Sequence, residues 1–336
     1  MEAADLTATG ENTPGEQIRD LARRRPALAA LAILAVIVAV LVAAKGVHEV
    51  AQTAVNGLSL GSVYALGAVG LTLVYGILKL VNFAHGDFLT FGAYFAYLVN
   101  VTWGLPLVTG IFVAMAMTAA LALFFERVMW RPMRTRGAGQ LQLLLMSIGL
   151  ALVIRSGIQW FWSTQVRQLD VNATSSVEFL GLRVGQTQLI VIVVGFVVLI
   201  AVGAMLRYSL LGKRMRAISD DLELAETSGI DTNRVITYTG LFAGALAGLA
   251  GVLAGAVTEL TPELGFELLL PIFAAVILGG IGDPYGALVG GITLGVVTEW
   301  STMFVDSRWK TSVAFVVLVI ALVIRPQGIF GKAKSL

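Results

Sequence analysis

Gly57-Leu58-Ser59-Leu60-Gly61 has the GxSxG spacing with which serine hydrolases present a nucleophile on a strand-to-helix elbow beside a histidine base. Here the pentapeptide lies inside an apolar stretch, and His48 and His85 are the only histidines available. The spacing therefore reads as a small-residue helix-packing face, against a competing reading as an intramembrane enzyme using Ser59 and His85. The chain contains no cysteine, which excludes disulfides, thiolate nucleophiles and thiolate metal sites. Two histidines also exclude a histidine-rich metal centre. Gly280-Ile281-Gly282-Asp283-Pro284-Tyr285-Gly286 misses the third glycine of a dinucleotide fingerprint and lacks its strand–turn–helix setting. A tight turn between two helices is expected there. No GxxxxGK(S/T) run occurs, so a Walker-type ATP site is not part of this chain.

What remains is a small set of ionisable residues within apolar stretches. Arg155 follows Leu152-Val153-Ile154, Glu259 and Glu299 lie near the ends of their stretches, and Asp87 opens a short one. A charged group at the centre of a membrane helix costs at least about 2.5–3.5 kcal/mol, so each should face protein or water. Arg155 is expected to pair with a carboxylate or to line a solute path. Asp87 is expected to be a helix N-cap or a member of such a path.

The elements that must carry these residues are apolar helices. Of the 336 residues, 57% are hydrophobic and 13% charged, where a soluble chain carries about a quarter charged. Lipid must cover part of this surface. Apolar stretches fall at roughly 26–44, 53–76, 86–101, 105–126, 141–163, 188–207, 234–257, 267–281, 284–305 and 311–325. Most reach the ~20 residues that cross a bilayer, while 86–101 and 267–281 are short enough to be tilted or broken. With the N-terminus in the cytoplasm, 17 of the 23 lysines and arginines fall inside and 5 outside, Arg155 alone lying within a span. That asymmetry follows the positive-inside rule, and the six tryptophans fall near the ends of stretches as interfacial indoles do. Gly240, Gly244 and Gly248, with Gly251 and Gly255 and later Gly286/Gly290 and Gly291/Gly295, repeat at four-residue intervals that let helix backbones touch. The fold class expected is all-α: a polytopic transmembrane bundle of about 8–10 spans with both termini cytoplasmic. Residues 1–25 form a polar cytoplasmic tail and 26–330 the membrane domain.

One long inside loop, within 208–234, is not apolar. Ser219 or Asp220 is expected to cap a short helix in it and Gly229 to end it. Leu222, Ala225 and Glu226 then share a face. Such a helix suits a partner's groove; its acidic content argues against its lying on lipid.

Three separated segments carry a resemblance. Asn56-Gly57 through Tyr75-Gly76, followed by Asn82-Phe83-Ala84-His85-Gly86-Asp87-Phe88 and Gly92-Ala93-Tyr94, resembles permeases of branched-chain amino-acid ABC importers, of the LivH type. Pro271 through Gly282 and Gly286 to Glu299 fit the same pattern, as does Gly212 to Gly229, which matches the family's EAA-type coupling loop with its Glu-Ala-Ala core loosely kept as Leu224-Ala225-Glu226. The resemblance implies a multi-pass subunit in a bacterial or archaeal plasma (inner) membrane, working with a second, LivM-type permease, two cytosolic ATP-binding subunits and an extracytoplasmic solute-binding protein. ATP and magnesium would be held by the ATPases, no cofactor by this chain, and nucleic acid has no part. Residues implied in ATPase coupling are Gly212, Arg214, Arg216, Ala217, Asp221, Leu222, Ala225, Glu226 and Gly229. Candidates for the translocation path are Asn82, Phe83, His85, Asp87, Arg155, Glu259, Gly279, Gly280 and Glu299. Substrates implied are branched-chain or related amino acids, with urea and short amides as alternatives. A self-sufficient secondary transporter using Arg155, Asp87 and Glu259 is the other reading.

Overall fold

The computed structural model describes residues 26–171, 175–179, 181–324 and 328–329; the polar tail expected at 1–25 lies outside the described residues. Two compact units are present, residues 1–51 and 52–336.

In the first unit α1 (Pro26–Lys45) stops at Gly46, whose φ of 86° turns the chain. Proline at the first helical position loses no hydrogen bond. The chain then enters α2 (Val47–Leu78), which continues into the second unit. There follow α3 (His85–Tyr97), α4 (Leu107–Phe125), α5 (Arg131–Thr135), α6 (Gln140–Trp162), α7 (Gln186–Tyr208), α8 (Leu210–Asp220), α9 (Leu222–Thr227), α10 (Thr232–Val257), α11 (Leu264–Gly279), α12 (Pro284–Ser301) and α13 (Lys310–Ile324). Each of the ten apolar stretches coincides with a helix. Five are long and apolar enough to cross a membrane among the described residues: α2, the Leu107–Thr135 run, α6, α7 and α10. The short third stretch is completed by a π-helical turn, Leu98–Thr102, and a second π turn, Glu126–Trp130, joins α4 to α5. A departure from all-helical structure is the antiparallel hairpin of β1 (Ser176–Phe179) and β2 (Leu182–Gly185), held to α2 by Gln52, which exchanges two hydrogen bonds with the Arg183 backbone.

The helices sort into inner and outer ones. In α2 89% of the apolar stretch is buried, and in α10 72%, against 17% for the Leu107–Thr135 run and 28% for α7. The inner pair therefore forms the scaffold, and the outer helices show valines, leucines and aromatics to lipid. Small residues set the spacing. A Cβ on Gly251 would lie 1.9 Å from the Leu89 carbonyl oxygen, and one on Gly295 2.3 Å from Gly61. These are backbone-on-backbone contacts of α10 with α3 and of α12 with α2, as the four-residue spacing leads one to expect. Gly240 departs from the pattern, since nothing lies within 4 Å of its Cβ position. Trp130 is 5% exposed and packed within the protein.

Candidate solute path and coupling surface

The polar loop folds as two helices, where one capped at Ser219 or Asp220 is expected. Ser209 caps α8 by accepting from the Gly212 N–H at 2.9 Å, and Asp221 caps α9 by accepting from the Leu224 N–H at 2.9 Å. The break comes at Asp221 because its backbone is extended there (φ −153°, ψ 113°) and its carboxylate captures an otherwise orphaned amide. On α8 the buried residues are Gly212, Met215 and Ile218, which leaves Arg214 and Arg216 exposed and Ala217 half-buried. On α9 Ala225 alone turns inward, while Leu222 and Leu224 stand exposed. Gly229, at φ 83°, ends the segment as expected, with Ile230 N–H donating to the Ala225 carbonyl.

Two contacts join this surface to the membrane helices. Glu226 Oε1 accepts from the Thr232 hydroxyl at 2.7 Å, tying α9 to the first turn of α10. Lys79, in left-handed backbone (φ 51°), donates to the Ser219 carbonyl at 3.2 Å and to the Gly76 carbonyl at 2.8 Å. The end of α8 thus rests on the end of α2. A non-glycine residue with positive φ persists where its surroundings over-determine it, and here the ammonium bridges two elements.

Beyond Lys79 the chain leaves helical geometry until His85. Asn82 is buried and accepts from the Ala84 N–H at 3.1 Å. Phe83 donates its N–H to the Ser147 hydroxyl at 3.1 Å, and its ring meets Phe273 at 5.2 Å. His85 is enclosed, with Nε2 3.0 Å from the Gly67 carbonyl oxygen, so it pins the start of α3 to α2. Ser59 is also buried and its hydroxyl has no partner; Gly57 and Gly61 on either side press on α12, in accord with a packing face. Asn82 and His85 border a narrow cavity of about 40 Å³ that also touches Glu126 and Gly240.

Asp87 is not an N-cap. Ala84 holds that position and α3 begins two residues before Asp87. The carboxylate, fully buried, takes two hydrogen bonds from Arg155, at 3.0 and 3.3 Å, and the guanidinium lies 4.5 Å from the Phe266 ring centroid. A buried carboxylate needs charge more than a cap does, and Arg155 answers it with a bidentate fork. One turn further along α6, Gln159 donates to Glu263 at 2.9 Å. Glu259 lies outside α10 in an exposed loop, not at the depth of a span. Glu299 is 8% exposed and pairs with Lys310 at 2.5 Å, joining α12 to α13. Gly279 packs against the Gly286 backbone, and Gly280 (φ 113°) opens the tight turn, with Asp283 capping α12 through Tyr285 and Gly286.

Glu126, which is buried, and Gln159, Glu263 and Arg167, which are half-buried, make polar contacts but are absent from the sequence-derived candidates. Gln159 was legible as the residue four after Arg155, hence on the same helix face. Glu126, paired with Arg134, reads from sequence as the edge of a cytosolic segment, and Glu263 as a loop residue behind Pro262.

A family model described as branched-chain amino acid transport system / permease component matches residues 53–322. The chain belongs to this family. The permease is 33% identical over 302 residues to the high-affinity branched-chain amino acid transport system permease protein LivH of Salmonella typhimurium, covering 84% of this chain and 96% of the relative. It is 31% identical over 302 residues to the BraD permease protein of Pseudomonas aeruginosa, covering 86% and 98%. A LivH of Methanocaldococcus jannaschii, described as probable, is 27% identical over 280 residues, covering 79% and 87%. Among solved structures, PsaBC from Streptococcus pneumoniae in complex with Fab aligns with 87% of this chain and 98% of its own at a TM-score of 0.47 and 17% identity. The relatives are membrane permease proteins, not enzymes.

Proposed function

We propose that this permease is a membrane subunit of an ATP-driven importer for branched-chain or related amino acids. It works with a LivM-type second permease, two cytosolic ATPases and an extracytoplasmic solute-binding protein, crossing the plasma membrane about 8–10 times with both termini in the cytoplasm. The observation that carries this reading is the family match over residues 53–322, supported by the polar two-helix segment α8–α9, whose sequence resembles the family's coupling loop.

In this mechanism α8 and α9 occupy a groove of the ATPase, with Arg214, Arg216, Leu222 and Leu224 exposed for contact. Closure of the ATPases on ATP moves that groove. The Glu226–Thr232 bond carries the motion into α10, and the Lys79–Ser219 bond carries it to the helix break at Asn82. Since α10 and α2 are the inner helices, displacement of their ends re-aims the scaffold instead of a peripheral helix. This chain makes and breaks no covalent bond.

The test is reconstitution of the full assembly in vesicles. Glu226→Lys and Arg216→Glu are expected to leave ATP hydrolysis measurable and to lower amino-acid uptake per ATP at least ten-fold. Uptake by the isolated chain without ATP, driven by a proton or sodium gradient, would overturn the reading.

A further inference from the structure

The π turn Glu126–Trp130 and the first turns of α10 wall an open hollow of about 570 Å³. Arg127, Arg131, Arg234 and Tyr238 line it, together with Glu126 and Asp231. Both carboxylates are already engaged. Glu126 accepts from Arg134 with both of its oxygens. Asp231 accepts the Arg234 N–H at 3.0 Å and receives the guanidinium of the same residue, also at 3.0 Å. Arg127 and Arg131 are exposed, and their side chains have neither a hydrogen bond nor an ion pair among the described residues. They stand four residues apart, which brings two like charges together on one face of the run. The hollow is therefore a concave surface with positive charge left over.

It opens where the apolar surface ends. Phe124 and Val128, on the same run, are 54% and 60% exposed, and that run is the least buried of the five helices long enough to cross a membrane. Hydrocarbon must reach Val128, which places Arg127 and Arg131 at the headgroup layer, where Tyr238 is also at home. Leu123 and Leu241 give the hollow an apolar side along which acyl chains can leave. A guanidinium matches phosphate oxygens through two parallel bonds, and basic pockets between membrane helices on the cytoplasmic side hold phosphate-bearing headgroups. One phosphodiester between Arg127 and Arg131 relieves their repulsion. A headgroup with its own ammonium would meet the remaining positive charge, so a net-anionic lipid fits best.

We infer that this hollow binds the phosphate of an anionic phospholipid of the cytoplasmic leaflet. The leaflet rests on the orientation in the proposed function; the binding itself does not depend on the solute carried. A lipid held there braces the start of α10, the same end that Glu226 ties to α9 through Thr232.

The full chain, purified in mild detergent with the subunits it retains and stripped of loose lipid, is titrated with phosphatidylglycerol or phosphatidylcholine, and bound lipid is counted by native mass spectrometry. A saturable phosphatidylglycerol site is expected, at least ten-fold tighter than for phosphatidylcholine. Arg127→Gln and Arg131→Gln should each weaken it about five-fold, the contribution of one arginine at an anionic surface. Arg136→Gln removes an exposed charge of the same segment that does not line the hollow, and should leave affinity within two-fold. Equal losses in all three variants would reveal a diffuse field and overturn the site. The unaltered protein decides alone if the variants fail to accumulate: equal affinity for the two lipids, or no bound lipid because a partner subunit covers the arginines, would overturn it. Displacement of phosphatidylglycerol by sn-glycerol 3-phosphate would assign the hollow to a soluble phosphate and overturn the lipid. Lipid binding in a protein that transports no amino acid would leave this site standing while the proposed function fails.

Discussion

Asp87 and Arg155 are the residues whose removal should be felt most. Breaking a buried ion pair from one side leaves an uncompensated charge and costs about 3–5 kcal/mol, whereas replacing both partners by apolar groups is often neutral. Arg155→Met is therefore expected to lower the unfolding temperature in detergent markedly, and Asp87→Leu with Arg155→Met to restore most of the loss. If the double variant is no more stable than the single ones, the pair does more than neutralise itself. Its presence was legible in part: an arginine amid leucine, valine and isoleucine demands a carboxylate, and Asp87 was among the few available. Which carboxylate answers it was not legible, because the choice among Asp87, Glu259 and Glu299 depends on how α3 and α6 cross. Arg155 also stacks on Phe266, a contact no spacing announces.

Helix packing sorts the glycines, and substitutions should follow that sorting. Gly251→Ala drives a methyl into the Leu89 carbonyl and must separate α10 from α3, costing about 1–3 kcal/mol or more. Gly240→Ala meets open space and, from helix propensity, should be neutral or stabilising by up to about 1 kcal/mol. Thermal unfolding of the two variants checks the contrast; equal losses would show that the four-residue repeat acts as one uniform face. The repeat itself stood in the sequence. That its first member lies beside a cavity and Gly244, Gly248 and Gly251 against backbone was settled by the neighbours of α10, which the repeat does not name. The same holds for α8 and α9, where the acidic run was visible and the restart at Asp221 was set by one extended residue.

At the scale of the molecule, the proposed function requires α8 and α9 to face the cytoplasm. A chain free of cysteine makes single-cysteine labelling clean. In right-side-out vesicles a membrane-impermeant maleimide is expected to label Arg183→Cys, on the exposed hairpin, and to spare Arg214→Cys until the membrane is opened. The reverse pattern would turn the bundle over and remove α8 and α9 from the ATPase side. Both variants lie at exposed positions, so neither disturbs the core.

Membrane residence, the run of apolar helices and the position of the polar loop were determined by composition and periodicity alone, because burial in lipid is a property of each segment by itself. Family membership was legible for the same reason: its motifs are local strings. The tertiary structure alone decided which helices are inner, that His85 is a strut against α2, and that Asp87 answers Arg155. Those are distances between segments far apart in the chain, and they are set by close backbone packing that no single segment encodes.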